Sequence, residues 1–332
     1  MIISRTPFRI SFFGGGTDYP AFYEKHGGAV LSTSINKYCY INVRYLPPFF
    51  DHKYRIRYTA REEIQSVSEI KHPSVRECLN FLNWDRGLEV VHNADLPAMS
   101  GLGSSSAFTV GLLNALNALQ GKMITRRQLA LDAIHVEQDR IKENVGSQDQ
   151  TIAAFGGFNK IEFGGLQKIT VHPVTIDQGK LDYFQSHLML FFTGFPRNAS
   201  DIAGEQIRKT PEKNTELKTM MSMVDEALDT LNGSEDRLID FGKLLHESWM
   251  LKRSLTQRIT NSLIDEIYLA GIGAGAVGGK LLGAGGGGFM LFFVKPELQP
   301  IVKEKLGKLL YVPFKFHNLG SQIIYYAPEE NF

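Results

Sequence analysis

The sequence predicts a two-domain protein of mixed α-helical and β-strand structure. It has 332 residues, of which 43% are hydrophobic and 21% are charged, and this composition is typical of a globular chain long enough for roughly two domains. Strand patterns and helical patterns alternate along its length. A long polar, helix-favouring stretch that begins near residue 199 marks the start of a second unit.

The individual elements follow from hydrophobic periodicity and from turn residues. Predicted strands, rich in apolar, β-branched and aromatic residues, occupy 2–13, 38–46, 56–59 and 187–193, with further strands and glycine turns at 155–174, around a glycine loop at 280–294 and after 312. Predicted helices occupy about 73–83, 105–120, 125–143, 199–231, 237–252, 261–272 and 297–309. The helix at 125 opens with Thr125 and Gln128 in the spacing of a capping box.

The charge and the cysteine count argue against several classes of protein. A net charge of +1 does not suit a nucleic-acid-binding protein, which normally has a basic face or tail. The chain start contains Arg5 and Arg9 and lacks a small-residue cleavage site, so we expect no secretory signal. The strongest apolar run, Phe289–Val294, is far shorter than the roughly 20 residues that a bilayer requires. Cys39 and Cys78 suit a reducing cytoplasm and provide no zinc or disulfide framework.

The segment PAMSGLGSSSA at 97–107 indicates an anion site, because a glycine turn runs directly into a helical pattern. Gly101 and Gly103 allow backbone conformations closed to other residues, and a helix start presents unpaired N–H groups to an anion. The three serines 104–106 add hydroxyls that can bond phosphate oxygens or a hard metal ion. The alternative is that the serines cap the helix and the glycines only form a turn. Neither a Walker loop nor a complete GxGxxG is present.

A second glycine segment, Gly14–Gly16, joins the first predicted strand to Thr17 and Asp18. Three glycines let a backbone approach a ligand closely, and a carboxylate can accept two hydroxyl hydrogen bonds from a sugar diol. An ordinary tight loop with a solvated aspartate is the alternative interpretation.

Two carboxylates in the middle of the chain are candidates for metal binding and catalysis. Glu137 lies on the apolar stripe formed by Ala130, Ile134 and Ile141, so we expect it to be buried. A buried carboxylate requires a positive partner, either a metal ion or an arginine such as Arg9, unless it reaches solvent at the helix edge. A further carboxylate, at position 149, follows in a polar turn, GSQDQ, where a helix cap is the simpler interpretation.

A third glycine segment spans Gly283 to Gly288 between the apolar flanks KLL and FMLFF. Those flanks indicate a loop between buried strands and not a flexible linker. The glycines of such a loop can bring backbone N–H groups into contact with a ligand. The alternative is a tight packing turn in which larger side chains would clash.

These blocks together resemble the small-molecule kinases of the galactokinase, homoserine kinase, mevalonate kinase and phosphomevalonate kinase (GHMP) superfamily. The resemblance lies in PFRISFFGGGTDY at 7–19, PAMSGLGSSSA at 97–107 and KLLGAGGGGFM at 280–290. Glu137 and Asp149 are 12 residues apart, as the metal-binding Glu and the catalytic Asp are in galactokinase-like members. The resemblance implies an α+β fold of two domains, 1–183 and 184–332, the first like a ribosomal protein domain and the second ferredoxin-like, with the active site between them.

The resemblance also implies roles for particular residues. The ATP phosphates would lie on the phosphate loop, which comprises Gly101, Leu102, Gly103, Ser104, Ser105 and Ser106. Mg²⁺ would be held by Ser105 and Glu137. Asp149 would accept the proton of the attacking sugar hydroxyl, beside Arg9. Contacts to the sugar would come from Gly16, Thr17, Asp18, Gly285 and Gly286.

The substrate class follows from where the chain departs from galactokinases. They carry Gly-Glu-His before Thr-Asp-Tyr, whereas Gly14, Gly15 and Gly16 stand here. The triple glycine and the segments at 27–38, 68–78 and 153–163 resemble instead the bacterial D-glycero-D-manno-heptose 7-phosphate kinases. Candidates for holding a second phosphate are Lys37, Arg44 and Arg197, each of which can equally be a surface charge.

Two other functions stay open at this point. Fucokinase domains share much of the pattern and are the second choice. Some superfamily members bind sugars without turnover, but Arg9, Ser105, Glu137 and Asp149 are all present here, which favours an enzyme. The expected partner is a small sugar or sugar phosphate, in a cytoplasmic protein that could form a homodimer.

Overall fold

The structure, a computed structural model, describes residues 1–165, 168–194, 199–234 and 237–328. Within those ranges the chain builds two β-sheets with helices packed against them. The helices are α1 Pro20–His26, α2 Pro73–Phe81, α3 Ser104–Leu119, α4 Arg126–His135, α5 Gln148–Phe155, α6 Gln178–Ser186, α7 Ala199–Lys209, α8 Asn214–Asn232, α9 Leu238–Leu255, α10 Ser262–Gly273 and α11 Gln299–Lys305. None of the helices in these ranges has both the length and the apolar character needed to cross a membrane.

The first sheet contains strands from both ends of the chain. Its members are β1 Ile2–Phe13, β2 Gly28–Tyr45, β3 Tyr54–Arg57, β4 Arg61–Ile64, β5 Leu88–Ala94, β6 Phe158–Phe163, β7 Ile169–Pro173 and β12 Gln322–Tyr326. The order is β12-β1-β2-β5-β3-β4, and the first half of β2 pairs with β6, which pairs with β7. β1 and β2 are antiparallel, with Ile2 opposite Val43.

The second sheet is antiparallel and begins after residue 183. It consists of β8 Leu188–Gly194, β9 Ala276–Leu281, β10 Gly288–Val294 and β11 Leu310–Tyr311, in the order β11-β8-β10-β9. One apolar core joins the two sheets, since the rings of Phe12, Phe184 and Phe241 contact one another. The chain then crosses back, so that β12 pairs with β1. The division at residue 183 stays a prediction.

Helix α3 is the element that positions the glycine segment at 97–103. It packs on β1, β2, α4 and α5, and nearly all of its side chains after Ser105 are buried. Gly103, with φ of +75°, is its N-cap. The left-handed backbone there requires glycine, and it turns the chain directly into the helix. The predicted helix at 105–120 is confirmed, with its start one residue earlier.

Several elements differ from the sequence prediction. The elements α1, β5 and α6 were not predicted, and the predicted helix at 125–143 ends as α4 at His135, followed by a π-helical turn. β2 is longer than 38–46, because its first half, Gly28–Ile35, lies between β1 and β6. The predicted helix at 199–231 is interrupted by a 3₁₀ turn, Thr210–Lys213, since Pro211 cannot continue the hydrogen bonds of a helix interior. Residues 148–155, predicted as a turn and an apolar run, form helix α5, which is stabilised by burial against α3 and α4.

Candidate active site

Arg9 and Asp149 form a bidentate ion pair between the first strand and the first turn of α5. Arg9 Nε donates to Asp149 Oδ1 at 2.7 Å, and Nη2 donates to Oδ2 at 2.8 Å. The Arg9 side chain is 5% exposed and that of Asp149 is 25% exposed, so the carboxylate side of the pair faces solvent. Ser147 is the N-cap of α5. The Asp149 carboxylate is therefore held by Arg9, remains partly exposed to solvent and is not the helix cap.

The same arginine ties the ion pair to the phosphate loop at 101–106. Its Nη1 donates to the carbonyl of Gly101 at 2.6 Å, and its backbone N–H donates to Leu102 at 3.0 Å. A Cβ on Gly103 would lie 3.2 Å from Arg9 Cγ and 3.3 Å from Asp149 Oδ2. Glycine at 103 therefore lets the loop backbone approach the ion pair.

The three serines of the phosphate loop occupy the first turn of α3 and differ in environment. They precede the first intrahelical hydrogen bond, from Ala107 N–H to the Gly103 carbonyl, so their amides have no partner within the helix. The Ser104 hydroxyl accepts from the Met99 amide at 3.1 Å, whereas Ser105 is exposed. Ser106 is buried and donates to Glu137.

Glu137 is fully buried on a π-helical turn, Val136–Ile141, that continues α4. Its Oε2 accepts from the Ser106 hydroxyl at 2.8 Å and from the Gln150 side-chain amide. Its Oε1 is buried and has no hydrogen-bond partner within the described part of the chain. Burial raises the pKa of this carboxyl to about 7. A cation would satisfy the unpaired oxygen and lower the pKa again.

These oxygen donors fit Mg²⁺. The ion prefers hard oxygen ligands and is often held by one or two carboxylates together with substrate phosphates. Glu137 provides one carboxylate, and its contact with the Ser106 hydroxyl places it beside the first turn of α3. No group of three or more His, Cys, Asp or Glu side chains with metal-site geometry occurs in the described ranges. The residues therefore suit a metal ion that is shared with a phosphate ligand.

Asp18 is brought close to the start of α5 by close backbone packing. Its Oδ1 accepts from the Gly16 amide at 2.9 Å, and its carbonyl accepts from Ser147 N–H at 2.9 Å. A Cβ on Gly146 would lie 1.8 Å from Asp18 Oδ2, so this contact requires glycine. Burial raises the pKa of Asp18. The Asp18 carboxylate thus lies near Asp149, whose negative charge raises that pKa further.

The other predicted residues of this loop serve its own structure. The Thr17 hydroxyl donates to the carbonyls of Gly14 at 2.8 Å and Ala29 at 2.9 Å, and it accepts from the Ala29 amide. A Cβ on Gly16 would lie 2.6 Å from the Gln206 amide nitrogen. Substrate contacts by Gly16 and Thr17 stay predictions, and the Thr17 hydroxyl already has its partners.

The loop at 283–288 packs against the phosphate loop. A Cβ on Gly283 would lie 2.5 Å from Gly101 Cα, and one on Gly285 would lie 2.7 Å from Ile259 Cα. The Gly286 amide donates to the Ile259 carbonyl at 2.9 Å. The alternative of a tight packing turn accounts for these glycines. Substrate contact by Gly285 and Gly286 stays a prediction.

Two buried lysines at this site were not identified from the sequence. Lys252, on α9, donates from Nζ to the carbonyls of Leu281 at 3.4 Å and Gly283. Lys280 donates to the Phe12 carbonyl at 2.6 Å. Burial lowers the pKa of Lys252 to about 8 and lowers that of Lys280 well below its usual value. Residues Leu245, Trp249 and Lys252 follow spacings of four and three on the buried face of α9, and that periodicity could have revealed the first lysine.

The three cations considered for a second phosphate are not brought to the ion pair by any described contact. Arg44 Nε donates to Glu89 at 2.6 Å on the neighbouring strand, so its charge is neutralised there. Lys37 is half-buried in β2. Arg197 lies outside the described residues. A site for a second phosphate therefore stays unassigned.

Known proteins match this chain along most of its length. It is 29% identical over 309 residues to D-glycero-alpha-D-manno-heptose 7-phosphate kinase of Campylobacter jejuni, covering 89% of this chain and 90% of the relative. It is 27% identical over 351 residues to L-fucokinase/L-fucose-1-P guanylyltransferase of Bacteroides fragilis, covering 91% of this chain and 35% of that protein. The crystal structure of a D-glycero-D-manno-heptose 1-phosphate kinase from Bacteroides thetaiotaomicron has the same fold, with a TM-score of 0.77 and 23% identity over 98% of this chain and 99% of that one.

The family patterns agree with the fold. The pattern of the GHMP kinases N-terminal domain matches residues 70–157, and that of the GHMP kinases C-terminal domain matches 226–312. The first range contains the phosphate loop, Glu137 and Asp149. The predicted two-domain α+β fold is thereby confirmed. Since both patterns match in chain order and together cover just over half of the sequence, this chain belongs to the GHMP kinases and is a kinase.

Proposed function

We propose that this protein transfers the γ-phosphoryl group of ATP to the anomeric hydroxyl of a heptose 7-phosphate and so forms a 1,7-bisphosphate. The observation that carries the reaction is the Arg9–Asp149 pair, which lies directly against Gly103 of the phosphate loop. A carboxylate beside a phosphate-binding loop is suited to accept the proton of an attacking hydroxyl.

Each residue has a definite part in the proposed reaction. The sugar hydroxyl oxygen forms a bond to the γ-phosphorus, the bond between that phosphorus and the β,γ-bridging oxygen breaks, and ADP leaves. Asp149 accepts the hydroxyl proton, and Arg9 orients Asp149 through two hydrogen bonds. The amides at 104–106 face the phosphates at the start of α3. Ser105 and Glu137 would hold Mg²⁺, which supplies charge neutralisation for the phosphate oxygens when bound.

The triple-glycine loop supports an anionic sugar substrate. Galactokinases have a glutamate where Gly15 stands, and a carboxylate there would repel a sugar phosphate. A Cβ on Gly15 would have the Ser11 hydroxyl as its nearest neighbour, at 4.0 Å, so the backbone leaves room at this point. The Ser11 hydroxyl is buried and has no hydrogen-bond partner within the described residues. Together with Asp18 it is a suitable ligand for sugar hydroxyls.

Resemblance to relatives supports the same substrate class. The Campylobacter jejuni relative named as a heptose 7-phosphate kinase aligns along nearly all of both chains. The Bacteroides fragilis relative named as a fucokinase makes L-fucose the second candidate. A sensor that binds sugar without turnover is disfavoured, because the ion pair, the phosphate loop and Glu137 are all in place.

The test is a panel of sugars and sugar phosphates with ADP release as the readout and ATP without sugar as the blank. We expect kcat/KM for a D-glycero-D-manno-heptose 7-phosphate to be at least about tenfold above that for L-fucose, galactose or any unphosphorylated hexose, a difference of about 1.4 kcal/mol in transition-state binding. If L-fucose or galactose reacts as well or better, the heptose assignment is wrong and a sugar 1-kinase of the second class replaces it. A protein that binds sugars but releases no ADP with any of them is a sensor.

A pair of variants at one position tests the charge argument. Gly15→Glu restores the galactokinase-like carboxylate, and Gly15→Ala controls for size alone. We expect Gly15→Glu to lower kcat/KM for the sugar phosphate more than for unphosphorylated sugars, while Gly15→Ala changes both alike. Equal losses on both kinds of sugar in Gly15→Glu would contradict a repulsive role for that charge.

A further inference from the structure

Lys252 is a charged residue from the second sheet's side of the molecule that binds the glycine loop next to the phosphate loop. Its helix, α9, packs tightly on β9, because a Cβ on Gly278 would lie 1.9 Å from the Gly242 carbonyl oxygen. This contact fixes the position of α9 along the strand. Lys252, in the last turn of the helix, is thereby held at the end of β9, where its Nζ donates to the carbonyls of Leu281 and Gly283.

The lysine is buried without a carboxylate bound to it. Its exposed fraction is 7%, and none of the ion pairs formed by the described residues includes it. Neutral carbonyl oxygens hold the ammonium, while Arg9, Asp18 and Asp149 are close enough for their charges to act on it. The burial of an unpaired cation is costly. Such a group is consistent with a site where an anion arrives only with the ligand.

Two cations bracket the contact between the two glycine loops. Gly101 and Gly283 touch, since a Cβ on Gly283 would lie 2.5 Å from Gly101 Cα. Arg9 binds the carbonyl of Gly101, and Lys252 binds the carbonyl of Gly283. The charge of Arg9 is already balanced by Asp149. Of the two cations at this junction, Lys252 is therefore the one without a bound carboxylate.

Lys280, the second buried lysine, is bound at a different place. Its Nζ is held by the Phe12 carbonyl on β1. Burial and the charges of Lys252 and Arg9 lower its pKa well below the usual value for lysine, whereas that of Lys252 is about 8. Of the two lysines, Lys252 is the one whose ammonium is bound to the glycine loop at 283–288, next to the phosphate loop.

We infer that Lys252 is a further catalytic residue, which contacts the transferring phosphoryl group and stabilises the negative charge on its oxygens. This role rests on the proposed phosphoryl transfer beside Asp149. Charge on the transferring group is spread over three oxygens, and positioned cations are the main means by which proteins stabilise it. Lys252, on α9, would then join Arg9 of β1 and Asp149 of α5 at the transferring group.

The test compares Lys252→Met with Lys252→Arg and with Lys243→Met, an exposed lysine paired with Asp240 on the same helix. We expect Lys252→Met to lower kcat by about 10²–10³-fold, with a change below about threefold in the Kd for MgADP and in KM for the sugar. Lys243→Met should have the same kcat, KM and Kd as the unaltered protein. Lys252→Arg keeps the charge and should retain a larger share of the rate.

A second measurement separates this role from support of the glycine loop and does not depend on the acceptor sugar. ADP with aluminium fluoride mimics the transferring group, so Lys252→Met should bind that combination less tightly while its affinity for MgADP and its melting temperature stay near normal. A structural role instead predicts that melting temperature, MgADP affinity and kcat fall together, and that result would overturn the inference. So would an unchanged affinity for ADP with aluminium fluoride. Failure of every sugar to react would sink the proposed function while this measurement still decides the role of Lys252.

Discussion

The two glycine loops that meet at Gly101 and Gly283 are similar in composition but different in use. The phosphate loop runs into the start of α3, where three serine amides have no partner in the helix, and it touches Arg9 and Asp149. The loop at 283–288 runs into β10, and its Gly286 amide is bound to Ile259. The first loop borders the Arg9–Asp149 ion pair, whereas the second packs against the first at Gly101.

This difference shows that glycine content alone does not identify a ligand-binding loop. Left-handed backbone and close approach are common to both loops. The amides at 104–106 lie at a helix start and have no partner in the helix, whereas the Gly286 amide is bound to the carbonyl of Ile259, between α9 and α10. The sequence predicts ligand contact for both loops, and that contact stays a prediction for each of them.

The largest effect should come from Asp149, on the side of the phosphate loop where the reaction is proposed. Asp149→Asn keeps the shape of the side chain but removes the base, so kcat should fall by about 10²–10⁴-fold while the Kd for MgADP changes little. Stopped-flow or coupled ADP assays measure the first quantity and calorimetry the second.

A matched control is Asp177→Asn, because Asp177 is a true N-cap whose side chain accepts from Lys180 N–H at the start of α6. Asparagine caps a helix about as well as aspartate does, so that variant should keep both its stability and its kcat near normal. If Asp149→Asn also turns over normally, Asp149 is a structural residue of α5, and the phosphate loop borders no base.

The buried charges show how far the sequence could predict the site. Glu137 was found because it interrupts an apolar stripe, and the structure confirms that it is fully buried. The same argument applied to α9 would have found Lys252, which follows Leu245 and Trp249 on the buried face. Periodicity therefore identifies a buried charge but gives neither its partner nor its function.

The remaining features depend on contacts between distant parts of the chain. Arg9 and Asp149 are 140 positions apart, and their pairing came from family resemblance, since spacing cannot give it. Ser106, and not Ser105, donates a hydrogen bond to Glu137, because the rotation of the first turn of α3 decides which serine faces that side chain. The contact of Gly283 with Gly101 requires both sheets to be in place. The motifs thus indicated segments that the fold brings together, and tertiary packing decides which of their atoms meet.

A smaller effect should separate the serines within the phosphate loop. Glu137→Gln and Ser105→Ala should each raise the Mg²⁺ concentration needed for half-maximal activity, roughly 10–100-fold for the carboxylate. Ser106→Ala should have a weaker effect, because the Ser106 hydroxyl acts through Glu137.

Magnesium titrations of kcat for the three variants measure this ranking. Unchanged titrations for both Glu137→Gln and Ser105→Ala would remove the metal assignment and leave Glu137 as a buried partner of Ser106 and Gln150. A Ser106→Ala variant that needs more Mg²⁺ than Ser105→Ala would instead move the hydroxyl ligand one residue along the helix.

The smallest effects should come from single methyl groups, and they test the two loops against each other most directly. Gly103→Ala, Gly285→Ala and Gly121→Ala all place alanine at a positive φ, of +75°, +126° and +72° respectively. A Cβ on Gly121 would have nothing within 4 Å, so that variant measures the backbone cost alone, about 1–2 kcal/mol. Gly103→Ala should match it in melting temperature but lose roughly tenfold in kcat, since its methyl would press on Arg9 and Asp149 at 3.2–3.4 Å and shift a positioned base.

Gly285→Ala should show the opposite pattern. Its methyl would lie 2.7 Å from the Ile259 Cα, so the backbone must move and the melting temperature should fall below that of Gly121→Ala. Its kcat should stay near that of the unaltered protein at temperatures where the variant is folded, because the added methyl would press on Ile259 and not on Arg9 or Asp149. The opposite result is a Gly285→Ala variant that loses kcat as Gly103→Ala does but has the melting temperature of Gly121→Ala. In that case the loop at 283–288 borders the substrate, and both glycine loops bind ligand as their composition indicates.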